Sequence, residues 1–389
     1  MHIAHIATSV TLNQTVYNQM VYQQKQGHRV VALCPDDEWT KPIKYKDIPV
    51  IHVPFLWHNA KASLTSALLR TIKVCRQEKF DVVHTHTLLP GIAGRIGARL
   101  AGIPCVVHTF HSWPPHLYKS RIFKWAFYIT EIVAARSAQA ILFQNPDDLK
   151  SWSSIPGVPI HKATLVGNGI DSAAITSKVG VGARERIRKE FGISEDTFVI
   201  VNVARFEPQK GHMFLLSTLK HLIQQVKQKV VVLLVGIGID QEKVEAEVKR
   251  LDLQDAVYFT GYRRDVPDIL SASDVSIMTS HYEGIPRALM ESMTLGLPVV
   301  ATDVPGTHSL IQSGQTGLLV EYGDVPGMSN ALQKILSAPT LARELGERGR
   351  QHVRSKFNEY TVADRVEEVY NHVLTKKFAP LPQWGLDLG

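Results

Sequence analysis

The chain has 389 residues, 44% of them hydrophobic and 20% charged, with a formal net charge of +7. That length exceeds what one compact core holds and predicts two domains, and the composition is that of an ordinary soluble globular protein, not a disordered or fibrous one. The longest apolar stretch, Val230 to Ile239, is broken by glycines and too short to span a bilayer.

Met1-His-Ile-Ala-His-Ile-Ala-Thr8 runs straight into a strand-like segment, without the charged start and apolar core of a secretion signal. Cys34, Cys75 and Cys105 are few, odd in number and without metal-ligand spacing, which predicts reduced thiols and a cytoplasmic protein. Charge is uneven. Residues 1–170 carry 18 Lys and Arg against 9 Asp and Glu, a net of +9, whereas residues 171–389 carry 25 against 27. A basic first half suggests an anionic partner, for which nucleic acid, an anionic membrane and a phosphorylated substrate all fit.

Apolar runs alternate with helical patterns throughout, the pattern of parallel α/β architecture. In the first half the predicted strands are His2–Thr8, Arg29–Cys34, Asp81–Thr85, Cys105–Thr109, Ala140–Gln144 and Lys162–Val166, and Ala60–Glu78 and Ile122–Ala135 have helical period. Asn168-Gly-Ile-Asp171 is a turn before a polar, basic stretch, and the domain boundary is placed there. A second alternation has strands at Thr197–Ala204, Val230–Gly236, Ala256–Thr260, Val275–Thr279, Pro298–Thr302 and Thr316–Val320. A last helix is expected near Asn358–Lys376, before Pro380, Pro382 and Trp384. The predicted division is 1–171, 172–365 and a tail, 366–389, packing back on the first domain. Two doubly wound units imply a ligand-binding cleft between them.

The segment most informative about function is Ser280-His-Tyr-Glu283-Gly-Ile-Pro286-Arg-Ala-Leu-Met-Glu291. Pro286 suits the first helical position, which puts Glu283 on the loop before the helix and Glu291 inside it. At about 1.5 Å per residue, Glu291 lies roughly 7 to 8 Å down the axis from Pro286. Two carboxylates staggered around the free N–H groups of a helix start match the hydroxyls and phosphate of a nucleotide-sugar. Taken alone, the segment also reads as an amphipathic helix with two solvated glutamates.

Arg205 and Lys210 follow a buried strand run, at the edge where open α/β sheets bind ligands, and could neutralise a departing diphosphate; a solvated loop with a surface ion pair is the plainer alternative. Gly236 and Gly306 end strand runs and permit close ligand approach. No P-loop and no complete dinucleotide fingerprint are present, nor any Asp-x-Asp pair for a metal-bound sugar nucleotide, so a metal-free mechanism is expected. His84 and His86 share one strand face, which could suggest a metal, but no carboxylate or cysteine joins them at ligand spacing; they and His108 read as satisfied structural histidines. His111, before Trp113-Pro-Pro, is better placed to face the cleft. Lys119, Arg121 and Lys124 open an apolar helix, which reads either as membrane-surface docking or as a core helix with an exposed basic start.

Together these residues resemble the large retaining family of two-domain GT-B glycosyltransferases, often called family 4. The resemblance runs through Gly27-His-Arg-Val30, Phe80-Asp-Val-Val-His-Thr-His86, Val107-His-Thr-Phe-His111, Asn168-Gly-Ile-Asp171, Val203-Ala-Arg205 with Lys210-Gly211, Leu234-Val-Gly236, the Glu283 and Glu291 pair and Gly296-Leu-Pro through Val304-Pro-Gly306. It implies two Rossmann-like domains facing across a cleft. It also implies that Arg205 and Lys210 grip the donor diphosphate and that Glu291 holds the ribose. Glu283 and the backbone of Gly284, Ile285 and Pro286 would hold the transferred sugar and its phosphate, and His111 would contact that sugar from the other domain.

The implied partners are a UDP-sugar donor and a glycan or lipid-linked acceptor, with peripheral contact to an anionic membrane and no nucleic acid, cofactor or metal. The opening resembles more the branch that builds bacterial surface polysaccharides. It departs from the family in Thr8-Ser-Val-Thr-Leu-Asn-Gln-Thr15, where a glycine pair is usual. An epimerase of the same architecture and a non-catalytic binding subunit are the competing readings.

Overall fold

The structure is a computed structural model that describes residues 1–55, 60–113, 120–375 and 380–384. The chain forms two compact units. One comprises residues 1–167 together with the chain from Glu359, and the other residues 168–358. The expected α/β class with two doubly wound units is what the chain adopts.

The first unit holds seven strands, β1 (His2–Ile6), β2 (Arg29–Cys34), β3 (Val50–His52), β4 (Val82–His86), β5 (Cys105–Phe110), β6 (Ala140–Phe143) and β7 (Ala163–Leu165). They form one sheet in the order β3-β2-β1-β4-β5-β6-β7, with every pairing parallel. The near-continuous Val, Ile and Ala runs follow from this, because a parallel sheet is buried on both faces. Alternation then sorts each strand: Ala4, Val83 and Val106 belong to one core cluster, Ile3, Val82 and Val107 to another.

That second cluster is closed by the helix Glu359–Thr375, whose Val366, Val369, Tyr370 and Val373 pack against it. Polar ties hold this helix in place: Asn18 donates to Glu359 at 2.8 Å, His28 meets Glu367 at 3.0 Å, and Arg365 donates to the Val166 carbonyl at 3.0 Å.

The second unit holds β8 (Phe198–Val203), β9 (Val230–Val235), β10 (Val257–Gly261), β11 (Val275–Met278), β12 (Val299–Thr302) and β13 (Leu318–Val320). Their order is β10-β9-β8-β11-β12-β13, again all parallel. In each sheet the crossovers diverge at one point, between β1 and β4 in the first unit and between β8 and β11 in the second. Ligands of such sheets sit beyond the carboxyl ends of the strands at these switch points.

Most predicted strands lie within one or two residues of their observed bounds, and Ala60–Glu78 is helical as expected. β3 was not predicted: it has three residues, half-buried or exposed, in a short run closed off by Pro49 and Pro54. The helix expected over Ile122–Ala135 spans Arg121–Ser137. The last helix ends at Thr375; Lys376 lies outside the described residues, as do Pro114, Pro115 and Lys119.

Candidate functional site

In the second unit the residues singled out above converge on the carboxyl edge of the sheet. β8 leads into Ala204 and Arg205, a short turn of helix over Pro208–Lys210, and then the helix His212–Gln225. Gly211 makes this possible. Its φ is +67°, and a Cβ there would lie 2.0 Å from the Thr279 carbonyl oxygen at the end of β11. Lys210 is thereby brought across the switch point, and its Nζ donates to Glu283 Oε1 at 2.7 Å. The Ser280 hydroxyl donates to the same oxygen at 2.6 Å. Glu283 is buried, so the two donors hold a desolvated carboxylate in one orientation.

Backbone packing brings the glycines to this edge. Gly236 has φ +147° and a Cβ on it would come within 2.0 Å of the Ala204 carbonyl oxygen, so the ends of β8 and β9 touch at Arg205. Gly306, with φ +87°, is tighter still: a Cβ would sit 1.2 Å from the Gly284 oxygen. Only glycine allows that contact. Asn168 donates from Nδ2 to the Ile285 carbonyl at 3.1 Å, which fixes the loop after Glu283.

Arg205 differs from Lys210. Its guanidinium pairs with Glu207 at 2.9 Å but is 67% exposed, so it remains accessible to an anion. Pro286 is not the first helical residue: its ψ of 113° is extended and it caps the helix Arg287–Thr294. The ring fixes φ only, and the Asn168 contact holds the carbonyl of the residue before it. Glu291 lies inside this helix, 3.4 Å from Arg287. Burial pushes its carboxyl above the usual range, against the opposing pull of Arg287 and Lys178.

His111 lies in the first unit, just past β5, as part of a buried histidine cluster. Register explains the cluster, since β1 and β4 pair with His5 opposite His84, and His84 and His86 share a face. His5 Nδ1 is 3.0 Å from His86 Nε2, and His86 Nδ1 is 3.1 Å from His111 Nε2. His84 Nδ1 is 2.5 Å from the Tyr370 hydroxyl and its Nε2 is 2.7 Å from Thr109 Oγ1. Burial keeps these rings neutral: it lowers His5 and His111 to about 4 and holds His84, His86 and His108 well below the ordinary value.

Nitrogens of His5, His84 and His86 lie within 4.8 Å of one another, a spacing that could hold a metal ion. All six, however, already have hydrogen-bond partners: Gln23 Oε1 lies 2.7 Å from His5 Nε2, and the other five are in the contacts just given. Next to His86, Thr87 takes φ +60° and ψ 173°, a strained conformation for a threonine, and its hydroxyl bonds the His86 carbonyl at 2.6 Å.

Sequence reasoning passed over His5, Gln23, Gln144, Tyr370 and Ser280. His5 had a readable signal, since it lies on the strand predicted at His2–Thr8. Ser280 had one too, since it stands three residues before Glu283 in the same segment, whereas Gln23, Gln144 and Tyr370 are joined to their partners only by the fold.

The chain matches two family profiles, "Glycosyl transferase 4-like domain" over residues 11–169 and "Glycosyl transferases group 1" over residues 183–352. It is 29% identical over 314 residues to the Escherichia coli UDP-Gal:alpha-D-GlcNAc-diphosphoundecaprenol alpha-1,3-galactosyltransferase, covering 80% of each chain. It is 23% identical over 375 residues to the Staphylococcus aureus capsular polysaccharide biosynthesis glycosyltransferase CapM, covering 96% of this chain and 97% of CapM. Among solved structures, Anabaena HepE in complex with UDP and glucose superposes with a TM-score of 0.83 at 19% identity, covering 95% of this chain and 99% of that one. That likeness shows the fold.

The neutral histidines set a pH dependence. In the unfolded chain a histidine protonates near 6.5, whereas folded His5 resists until about 4. As pH falls through that window the unfolded state gains protons that the fold refuses, so stability is lost, by about 3 kcal/mol from His5 alone. A melting temperature that falls steadily between pH 6.5 and 4.5 is expected; a flat one contradicts the neutral cluster.

Proposed function

The chain belongs to the glycosyl transferases group 1 family and is a glycosyltransferase, and from that premise we propose that it moves a sugar from a UDP-sugar to a hydroxyl of a glycan or lipid-linked acceptor. The setting is bacterial polysaccharide or glycolipid synthesis, as the names of the E. coli and S. aureus relatives suggest. The observation that carries the reading is the Lys210–Glu283 pair at the β8–β11 switch point, with Gly306 against Gly284 beside it.

In this reading Lys210 and the exposed Arg205 neutralise the donor diphosphate as negative charge grows on it. Glu283, aimed by Lys210 and Ser280, accepts from hydroxyls of the transferred sugar. Glu291 accepts from the ribose, and N–H groups at the start of Arg287–Thr294 meet phosphate oxygens. Transfer retains the anomeric configuration. The acceptor oxygen bonds the anomeric carbon on the face from which the carbon–phosphate oxygen bond breaks, and the acceptor proton passes to the leaving diphosphate. Catalysis then rests on charge and positioning, without a metal.

The membrane is the second partner. Helix Arg121–Ser137 packs inward through Phe127, Ala134 and Ala135, yet Ile122, Trp125, Ile129 and Val133, spaced three, four and four residues apart, are 51–80% exposed. Its one acidic residue, Glu131, is fully buried against Arg95 at 2.7 Å, which leaves Arg121, Lys124 and Arg136 as its accessible charges. An outward apolar stripe with tryptophan and basic flanks suits the interface of an anionic bilayer, where a lipid-linked acceptor resides.

Lys210→Ala is expected to lower kcat about 10²–10³-fold with the circular dichroism spectrum unchanged; UDP release in the presence of acceptor measures it, and an unaltered rate removes the site assignment. Without acceptor, an epimerised sugar appearing in solution would favour an isomerase instead. Flotation with phosphatidylglycerol vesicles is expected for the unmodified protein and reduced in Trp125→Glu. Equal recovery of both proteins, or of neither, argues against the docking helix.

A further inference from the structure

The three histidines His5, His86 and His111 form one line, and its chemistry is more determined than a packed cluster requires. A neutral imidazole carries one N–H and one lone pair, so each link between rings uses one of each. Gln23 Oε1 lies 2.7 Å from His5 Nε2 and, as an amide oxygen, can only accept. The proton of His5 is therefore on Nε2, and its Nδ1 lone pair must accept from His86. His86 then carries its proton on Nε2, 3.0 Å away, and accepts at Nδ1. The same step repeats over 3.1 Å to His111, which donates from Nε2 and keeps a lone pair on Nδ1. The Gln144 amide nitrogen, 3.2 Å from that Nδ1, is of the right kind to close the line.

Two further contacts agree with this starting end. Gln23 turns its amide nitrogen to the Tyr370 hydroxyl at 3.5 Å and its oxygen to His5. Tyr370 in turn is 2.5 Å from His84 Nδ1. His5 and His86 are fully buried, and a second proton on either ring would set N–H against N–H in a medium that penalises charge. The line therefore has one direction, from Gln144 to Gln23.

We infer that His86, backed by His5 and Gln23, is a positioning residue that holds His111 as its neutral Nε2–H tautomer, leaving Nδ1 as the ring's only acceptor toward a ligand. His111 is half-buried whereas the rings behind it are not accessible at all, and the Gln144 contact is the longest link of the line. A ligand group that exchanges with Gln144 must donate a hydrogen bond, as a sugar hydroxyl does, and toward that ligand His111 serves neither as an acid nor as a donor. This rests on the reading of His111 as a donor-sugar contact.

The test is a long-range ¹H–¹⁵N spectrum of uniformly labelled full-length protein near pH 7.5, which distinguishes imidazole tautomers. Nε2–H signals are expected for His5, His86 and His111, each with an unprotonated Nδ1. A protonated Nδ1 on His111, or an imidazolium, overturns the inference, and the unmodified protein decides this whether or not any variant folds. Gln23→Met, which removes the terminal acceptor two rings away, is expected to let the Nδ1–H tautomer of His111 appear, a change no merely structural role produces; an unaltered His111 signal in a folded variant also overturns it. If the tautomers are as expected but His111→Ala transfers sugar at the unmodified rate, the line stands and the donor contact is what fails.

Discussion

Parallel strand direction is the constraint on which the rest depends. With every strand of a sheet pointing the same way, all carboxyl ends fall on one edge, and the crossover helices must leave that edge in opposite directions at a single point. No backbone closes over the sheet at that point. Lys210 and Glu283 leave β8 and β11, the two strands that flank it in the second unit, and His5 and His86 lie on β1 and β4, the two that flank it in the first. Polar side chains can be buried at these places because the neighbouring strand end supplies a partner, as Lys210 does for Glu283, with Ser280 of Glu283's own loop adding a second donor.

The glycines serve that edge in a specific way. At Gly211, Gly236 and Gly306 a side chain would collide with a backbone oxygen of the adjacent strand end, so these positions set how closely successive loops approach. The first unit uses a different device at the same edge. Thr87 accepts a strained backbone and bonds the His86 carbonyl, which sets the turn from β4 into the helix behind it. Strain of this kind persists where surrounding packing over-determines it.

How much of this was readable beforehand follows from distance along the chain. Strands such as Arg29–Cys34 and Val230–Val235 declare themselves because a sheet buried on both faces needs unbroken apolar runs. Arg205, Lys210, Glu283 and Glu291 could be singled out by their position after such runs. The direct contact of Lys210 with Glu283 could not, because it joins residues 73 apart in sequence through the register of β8 and β11. The role of Pro286 was misplaced by one position because the ring dictates φ but not ψ. Tyr370, which meets His84 from 286 residues away, had no local signature beyond an apolar helix face. What the sequence carries is the periodicity of elements; pairings between distant loops arise only when the sheet is assembled.

The central claim is that a nucleoside diphosphate binds at the carboxyl edge of the second unit's sheet. Hydrogen–deuterium exchange with and without UDP, in the presence of a chelator, tests it most directly. The account predicts slowed exchange in peptides covering residues 203–212, 280–291 and 303–308, with little change at the opposite edge around residues 195–198 and 272–275. Protection absent from those three segments, or appearing only when a divalent metal is restored, would contradict it.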